Sequence, residues 1–289
     1  MTLCTPETLQ HRFDAIAAQG AGEPLPNDAG ILVEQLLIML ERGTVRAAER
    51  GADGEWRAVP WVKRGILVGF RAGRMIDMSL QGLAHRSAFH FFDKHTYPTR
   101  ELRLEDGVRV VPGGSTIRRG AYVAPGVVCM PPMYINVGAH VGPGTMVDSH
   151  ALVGSCAQIG ACVHLSAAAQ IGGVLEPVNA SPVVIEDNVI VGGNCGVYEG
   201  TVVRERAVLA AGVVLTRATP VYDLVRETVY RGTADRPLQI PADAVVVPGA
   251  RQVHGAWAER EGLSIQTPVI VKYRDEKTDV ATALEAWLR

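Results

Sequence analysis

Charge of one sign, aromatic rings and long apolar runs are all scarce in this chain, and each shortage removes a class of function. The 28 Lys and Arg nearly balance the 30 Asp and Glu, and no stretch gathers the cations into a run or an arm. With aromatics at only 6%, the chain has neither a phosphate-binding footprint nor a stacking platform for nucleic acid. The longest helix-like apolar stretch, Ile31 to Leu40, is interrupted by Glu34 and Gln35 and is too short to span a bilayer. Met1 to Gln10 lacks a cationic segment followed by an apolar one, so the expectation is of no secretory signal and a cytoplasmic protein. The cysteines (Cys4, Cys129, Cys156, Cys162, Cys195) are odd in number and show no CxxC pair. That spacing predicts reduced, buried thiols and no metal site.

What is present is a period. An aliphatic residue returns at every sixth position through Ile117, Val123, Cys129, Ile135, Val141, Val147, Val153, Ile159, Leu165 and Ile171, with Cys129 the one exception in type. The column resumes at Ile185, Val191, Val197, Val203, Leu209 and Leu215. Four residues after most of them stands a small or β-branched residue, as at Ala121, Val127, Ala139, Thr145, Ala151 and Ala157. This is the hexapeptide repeat of a β-helix, in which each hexad makes a short strand and a turn and three hexads close a triangular coil. The aliphatic side chains stack inward, and the glycines that follow several of them (Gly142, Gly154, Gly160, Gly172, Gly192) are expected to serve turns with positive φ. The sixteen hexads predict about five coils.

Around the repeat, the chain divides into an N-terminal, mostly helical domain over 1–105, the β-helix over 106–225, and C-terminal strands with a closing helix over 226–289. Ile31 to Arg42 has helical spacing and stops at Gly43, a C-cap; Trp61 to Arg71 is read as a second helix, and Gly51 to Gly54 as a turn. The aromatics and histidines between Ala84 and Arg100 predict a packed connector. Between Ile171 and Ile185 the spacing is fourteen, read as two hexads plus two residues, so that Val174 to Pro182 loops out of the coil. Thr267 to Arg274 reads as a strand and Val280 to Leu288 as an amphipathic helix.

A solenoid filled by its own side chains has no interior cavity, so any site lies on an outer face, at a loop, or at a seam between subunits of a homo-oligomer. An ice-binding solenoid would show regular outward Thr or Ser rows; the outward residues here (Arg118, Pro125, His140, Asp148, His150, Gln158) are irregular.

Several strings go beyond the generic hexad: Gly144 to Asp148, Val153 to Gly160, Val163 to Ser166, Ile171 to Pro177 and Ile185 to Asn188, with Arg109 to Pro112 upstream and Pro268 to Lys272 downstream. With Trp61 to Lys63 and Phe70-Arg71, the chain resembles the tetrahydrodipicolinate N-succinyltransferases. The resemblance implies a left-handed parallel β-helix, a homotrimer, and an acyl-CoA co-substrate along the seam between subunits. The implied reaction moves the acyl group from the thioester to the amine of an amino-dicarboxylate in lysine and diaminopimelate synthesis, by direct attack without a covalent enzyme intermediate and without a metal. It implies Asp148 as the catalytic, substrate-binding carboxylate and Arg109 as the partner of a substrate carboxylate. It implies Ser166, Ala167, Ala168, Gly172 and Gly173 as the CoA-facing residues. One cysteine lying near the thioester remains an alternative to wholly structural thiols.

The chain departs from the family's pattern at three points. Ala167-Ala168 stand where the family has two glycines, His150 replaces a tryptophan, and the family's second acidic site residue falls at Gly196. His150, two residues from Asp148, is a candidate general base; His140 and His164 are read as structural. These departures leave two alternatives: a divergent paralogue using another donor such as acetyl-CoA in specialised metabolism, of the tabtoxin-type β-lactam antibiotic kind, and a non-catalytic scaffold.

Overall fold

A computed structural model describes residues 4–20, 22–79, 90–233 and 236–275. The hexads build a left-handed parallel β-helix with three faces, in a mainly β chain. The first face stacks Thr116–Ile117, Tyr134–Ile135, Leu152–Val153, Gln170–Ile171, Gly196–Val197 and Val214–Leu215. The second stacks Tyr122–Val123, His140–Val141, Gln158–Ile159, Val184–Ile185, Val202–Val203 and Gln239–Ile240. The third runs from Arg109–Val110 through Val128–Cys129, Met146–Val147, His164–Leu165, Ile190–Val191 and Val208–Leu209 to the long strand Ala244–Gln252.

The predicted column is the core. Ile135, Val141, Val147, Val153, Ile159, Leu165, Ile171 and Ile185 are all fully buried, each contributing roughly 1.5–3 kcal/mol by leaving water. Ala121, Ala151, Ala157 and Ala169 fill the corners between them.

Three details differ from the sequence reading. Each face carries six rungs or more where about five coils were expected, because the column returns at Ile240 and Val246 after a detour through the hairpin Val221–Asp223/Thr228–Tyr230. The interruption after Ile171 is a single hexad enlarged by a loop: Gln170–Ile171 lies on the first face and Val184–Ile185 on the next. Third, the glycines that directly follow the aliphatic residues are not the positive-φ positions. Those stand three residues after the aliphatic one, at Gly120, Gly138, His150, Cys156, Cys162, Ala168, Asn188, Asn194 and Gly212, with φ between 54° and 80°. Gly142, Gly154 and Gly160 are required by coil stacking instead. A Cβ on Gly154 would lie 2.2 Å from the Gly173 backbone nitrogen, and one on Gly142 2.5 Å from the Gly160 carbonyl oxygen.

Three helices, α1 (Pro6–Ala18), α2 (Ala29–Glu41) and α3 (Pro60–Ala72), cover the corner between the first and second faces. Sequence periodicity did not reveal α1. It is started by Thr5, whose hydroxyl accepts the Thr8 amide at 3.3 Å, with Pro6 at the first helical position. Gly43, at φ 69°, ends α2 as expected, the Gly43 and Thr44 amides closing back on Leu40 and Met39. Leu9, Phe13, Leu36, Leu37, Val62 and Ile66 form this second core, which reaches Val137 and Cys156 of the β-helix. In the aromatic connector, Tyr97 is buried and its hydroxyl donates to the Ile66 carbonyl at 2.6 Å, whereas Phe91 and Phe92 are exposed. His85 and Phe89 lie outside the described residues, as does the helix expected over Val280 to Leu288. A strand pair, Ala48–Arg50 with Trp56–Ala58, lies on the second face: the Trp56 indole donates to Glu186 at 2.8 Å, and Arg204 bridges Glu186 and Glu55. The helices and this pair leave the corner between the third and first faces uncovered; at the corner between the second and third, Pro143 and Cys162 are exposed as well.

Candidate active site

The corner between the third and first faces carries most of the residues expected of the site. Met146–Val147 ends at Asp148, whose amide donates to the Leu165 carbonyl at 2.9 Å, so the strand's register fixes the carboxylate just where the chain turns. One carboxylate oxygen accepts the Ser149 amide at 2.6 Å; the other has no partner among the described residues. His150 follows in the left-handed region (φ 62°), exposed, with its amide bonded to the Pro132 carbonyl at 2.6 Å.

One rung on, Val147 pairs with Leu165, which places Ser166 beside Asp148 and Ala168 beside His150. Ala168 repeats the left-handed turn (φ 59°) and donates its amide to the Ser149 carbonyl at 2.8 Å. Ala167 is exposed between them. The structure therefore brings Asp148, His150, Ser166, Ala167 and Ala168 together on two consecutive turns. Gln170, which sequence reasoning did not single out, braces this corner: its side-chain amide donates to the carbonyls of both His150 and Ala168 at 3.2 Å. Its outward place in the hexad was the available signal.

Gly172 and Gly173 lie elsewhere. They leave the first face at its other edge, where the loop to Val184 departs, and line a cavity of about 650 Å³ with Glu176, Tyr198, Glu199 and Arg217. Arg109 is exposed on the first rung of the third face; it pairs with Val128, which pairs with Met146, so two rungs separate it from the strand of Asp148. Within one chain the expected residues thus occupy three places.

His140 is half-buried and three of the cysteines are buried, in keeping with a structural role, whereas Cys162 is exposed and Cys4 half-buried, against the expectation of buried thiols. His140 stacks on Tyr122 with ring centroids 4.3 Å apart, and burial, then the charge of Arg46, pushes its pKa down to about 3, so the imidazole stays neutral. Burial pushes the thiols of Cys129 and Cys156 up to about 12, leaving them protonated. Cys195 is also buried, its thiol directed at the Ala210 carbonyl at 3.1 Å. No group of three or more potential metal ligands occurs among the described residues. No described helix is long and apolar enough to cross a membrane. Lys63, a further residue missed in the sequence, is fully buried in α3 and donates to the Ala180 carbonyl, tying the helix to the loop that walls the cavity.

Two family models match the chain: one described as the hexapeptide repeat of succinyl-transferase over residues 182–217, and one described as tetrahydrodipicolinate N-succinyltransferase N-terminal over residues 11–72. The chain is 40% identical over 290 residues to the 2,3,4,5-tetrahydropyridine-2,6-dicarboxylate N-succinyltransferase of Afipia carboxidovorans, covering 98% of this chain and 97% of that protein. The enzyme of the same name from Nitrobacter winogradskyi is 42% identical over 264 residues, 89% of each chain. Among solved structures, a putative 2,3,4,5-tetrahydropyridine-2-carboxylate N-succinyltransferase from Campylobacter jejuni matches with a TM-score of 0.51 at 16% identity. That match covers 86% of this chain and 63% of the Campylobacter chain, and at this identity it speaks for the fold alone.

Proposed function

Because this chain belongs to the 2,3,4,5-tetrahydropyridine-2,6-dicarboxylate N-succinyltransferase family and is an acyltransferase, we propose that it transfers a succinyl group from succinyl-CoA to the amine of an amino-dicarboxylate derived from tetrahydrodipicolinate. The observation that carries the reading is the Asp148 carboxylate, held by its strand at an uncovered corner with one oxygen unengaged among the described residues and Ser166 on the next rung. In this reading the acceptor's ammonium binds Asp148 and gives up a proton there. The free amine attacks the thioester carbonyl, the tetrahedral intermediate passes its remaining ammonium proton to the departing sulfur, and the oxyanion collapses to the amide as CoA leaves as the thiol. His150, on the same turn, is placed to share the proton transfer. The donor's arm lies over Ser166, Ala167 and Ala168.

Arg109, Gly172 and Gly173 join the site across a seam between subunits of a homotrimer, Arg109 holding an acceptor carboxylate and the glycines the CoA arm. The supporting observation is that these residues lie two rungs and one face away from Asp148 in their own chain.

A second reading, a paralogue using acetyl-CoA, is favoured by the burial of Gly196 beneath Tyr198, where the family's second acid would stand. Turnover of the purified protein with succinyl-CoA against acetyl-CoA, and 2-aminopimelate as acceptor, decides between them; no turnover with either donor would leave the scaffold reading. For the site, Asp148→Asn is expected to lower kcat by about 10²–10⁴-fold with CoA binding retained. Full activity in that variant removes Asp148 from the chemistry.

A further inference from the structure

Gly196 stands at an outward position of the first face, yet it is buried. What covers it is the ring of Tyr198, two residues on. A Cβ on Gly196 would lie 2.5 Å from a ring carbon of Tyr198 and 2.9 Å from its hydroxyl oxygen. A Cβ on Gly172, one coil below, would lie 2.7 Å from another ring carbon. The two glycines form a floor on which the ring rests, and any side chain at either position would displace it.

The half-buried Tyr198 forms part of the wall of the 650 Å³ cavity, and its hydroxyl has no hydrogen-bond partner among the described residues. Arg217 in the same wall is also half-buried. Its backbone amide donates to Glu199 at 2.9 Å, while its guanidinium has no partner among the described residues. Glu176 and Glu199 also line the cavity, but both are exposed and screened by solvent. The two half-buried side chains therefore offer unengaged donors, one neutral and one cationic, which suits an anionic oxygen.

We propose that Tyr198, laid over Gly196 and Gly172, is a specificity-determining residue that, with Arg217, binds a carboxylate of the substrate pair in this cavity. This rests on the acyltransferase reading above. An acidic residue at position 196 would repel that carboxylate; the phenol donates to it. The carboxylate belongs either to the acyl group of the donor or to the far end of the acceptor.

Steady-state kinetics on the full-length protein and its Tyr198→Phe variant test this. The donor arm compares succinyl-CoA with acetyl-CoA, and the acceptor arm compares 2-aminopimelate with 2-aminoheptanoate, which lacks the distal carboxylate. Tyr198→Phe is expected to raise KM about tenfold or more for the carboxylate-bearing member of one arm, with kcat within about twofold and the carboxylate-free member unaffected. The arm that responds identifies the source. Arg217→Gln should weaken the same member, and Gly196→Ala should do so by displacing the ring, with unchanged circular dichroism showing that the coil survives. Unchanged KM values, or equal changes for both members of each arm, overturn the proposal. If the wild type turns over no pair, the acyltransferase reading is what fails, and calorimetric binding of succinate and 2-aminopimelate to wild type and Tyr198→Phe still decides the inference. Tyr198→Phe binding both as tightly as wild type refutes it.

Discussion

His150 offers a clean separation of backbone strain from chemistry, since it places a β-carbon in the left-handed region at an exposed corner. A non-glycine residue there carries a steric cost of roughly 1–2 kcal/mol. Replacing it with glycine removes that cost but enlarges the conformational freedom of the unfolded chain, which gives back about 0.4–1 kcal/mol. The imidazole is exposed, and the corner's recorded bonds, the amide to Pro132 and the carbonyl from Gln170, are made by the backbone. His150→Gly should therefore be neutral to stabilising, by about 0–1 kcal/mol, and His150→Asn close to it, because asparagine tolerates this region. The same corner already accepts Ala168, Asn194 and Gly212 in the coils above.

Urea unfolding of the three proteins measures the stability term, and single-turnover acyl transfer measures the chemical one. If the imidazole moves the proton, both variants lose rate while keeping or gaining stability. A loss of more than about 1 kcal/mol in His150→Gly would refute the strain argument. Full turnover in both variants would leave Asp148 as the sole base.

Two further outcomes follow from packing and burial. The unfolded His140 has an ordinary pKa of 6.5, while the folded one sits at about 3; below 6.5 the unfolded chain binds a proton that the folded chain refuses, so stability falls as pH drops through that window. Between pH 7 and pH 4 this contributes about 2–3 kcal/mol, and His140→Phe, keeping a ring on Tyr122, should lose correspondingly less stability on acidification; equal losses in the two proteins would show that His140 titrates normally. Gly154→Ala, which drives a Cβ against the backbone of Gly173, should cost about 1–3 kcal/mol or more, whereas Gly30→Ala, exposed in α2 with nothing within 4 Å of the added carbon, should stabilise by about 0.5–1 kcal/mol; similar melting temperatures for both would contradict the coil-spacing argument.

The coil was legible because one hydrophobic column encodes both the strand and its neighbours above and below: Val147 pairs with Cys129 and Leu165, each eighteen residues away. The same offset carries Asp148 to Ser166 and His150 to Ala168, so the spacing already implies that these candidates lie on neighbouring turns. The left-handed corners could not be read from it. His150, Cys156, Cys162 and Ala168 have no side-chain signature for positive φ, while the glycines that attract attention, such as Gly154, are fixed by the approach of the next coil. Nor does a spacing of fourteen say whether an interruption skips a face; only the pairing of Gln158–Ile159 with Val184–Ile185 shows that it does not. The fold of the Tyr198 ring back over Gly196 is a choice of rotamer, which the string Gly196 to Gly200 leaves open.

The division of the expected site follows from the same arithmetic. A step of eighteen residues stays on one corner, but a step of six turns to the next face, so Gly172 was bound to leave the corner of Ser166 even though the two are neighbours in sequence. One hexad spans at most about 20 Å, and the intervening side is occupied by Gln170, whose amide is already committed to the carbonyls of His150 and Ala168. A ligand touching both edges of the first face must either lie across that braced side or meet the second edge on a neighbouring chain. The first arrangement would expose the ligand along its whole length; the second would bury it between two rigid corners. A solenoid with no interior encloses a substrate either under a loop, as at the cavity beside Gly172, or at a seam of this kind, and joining the two edges of the first face is what the proposed homotrimer contributes.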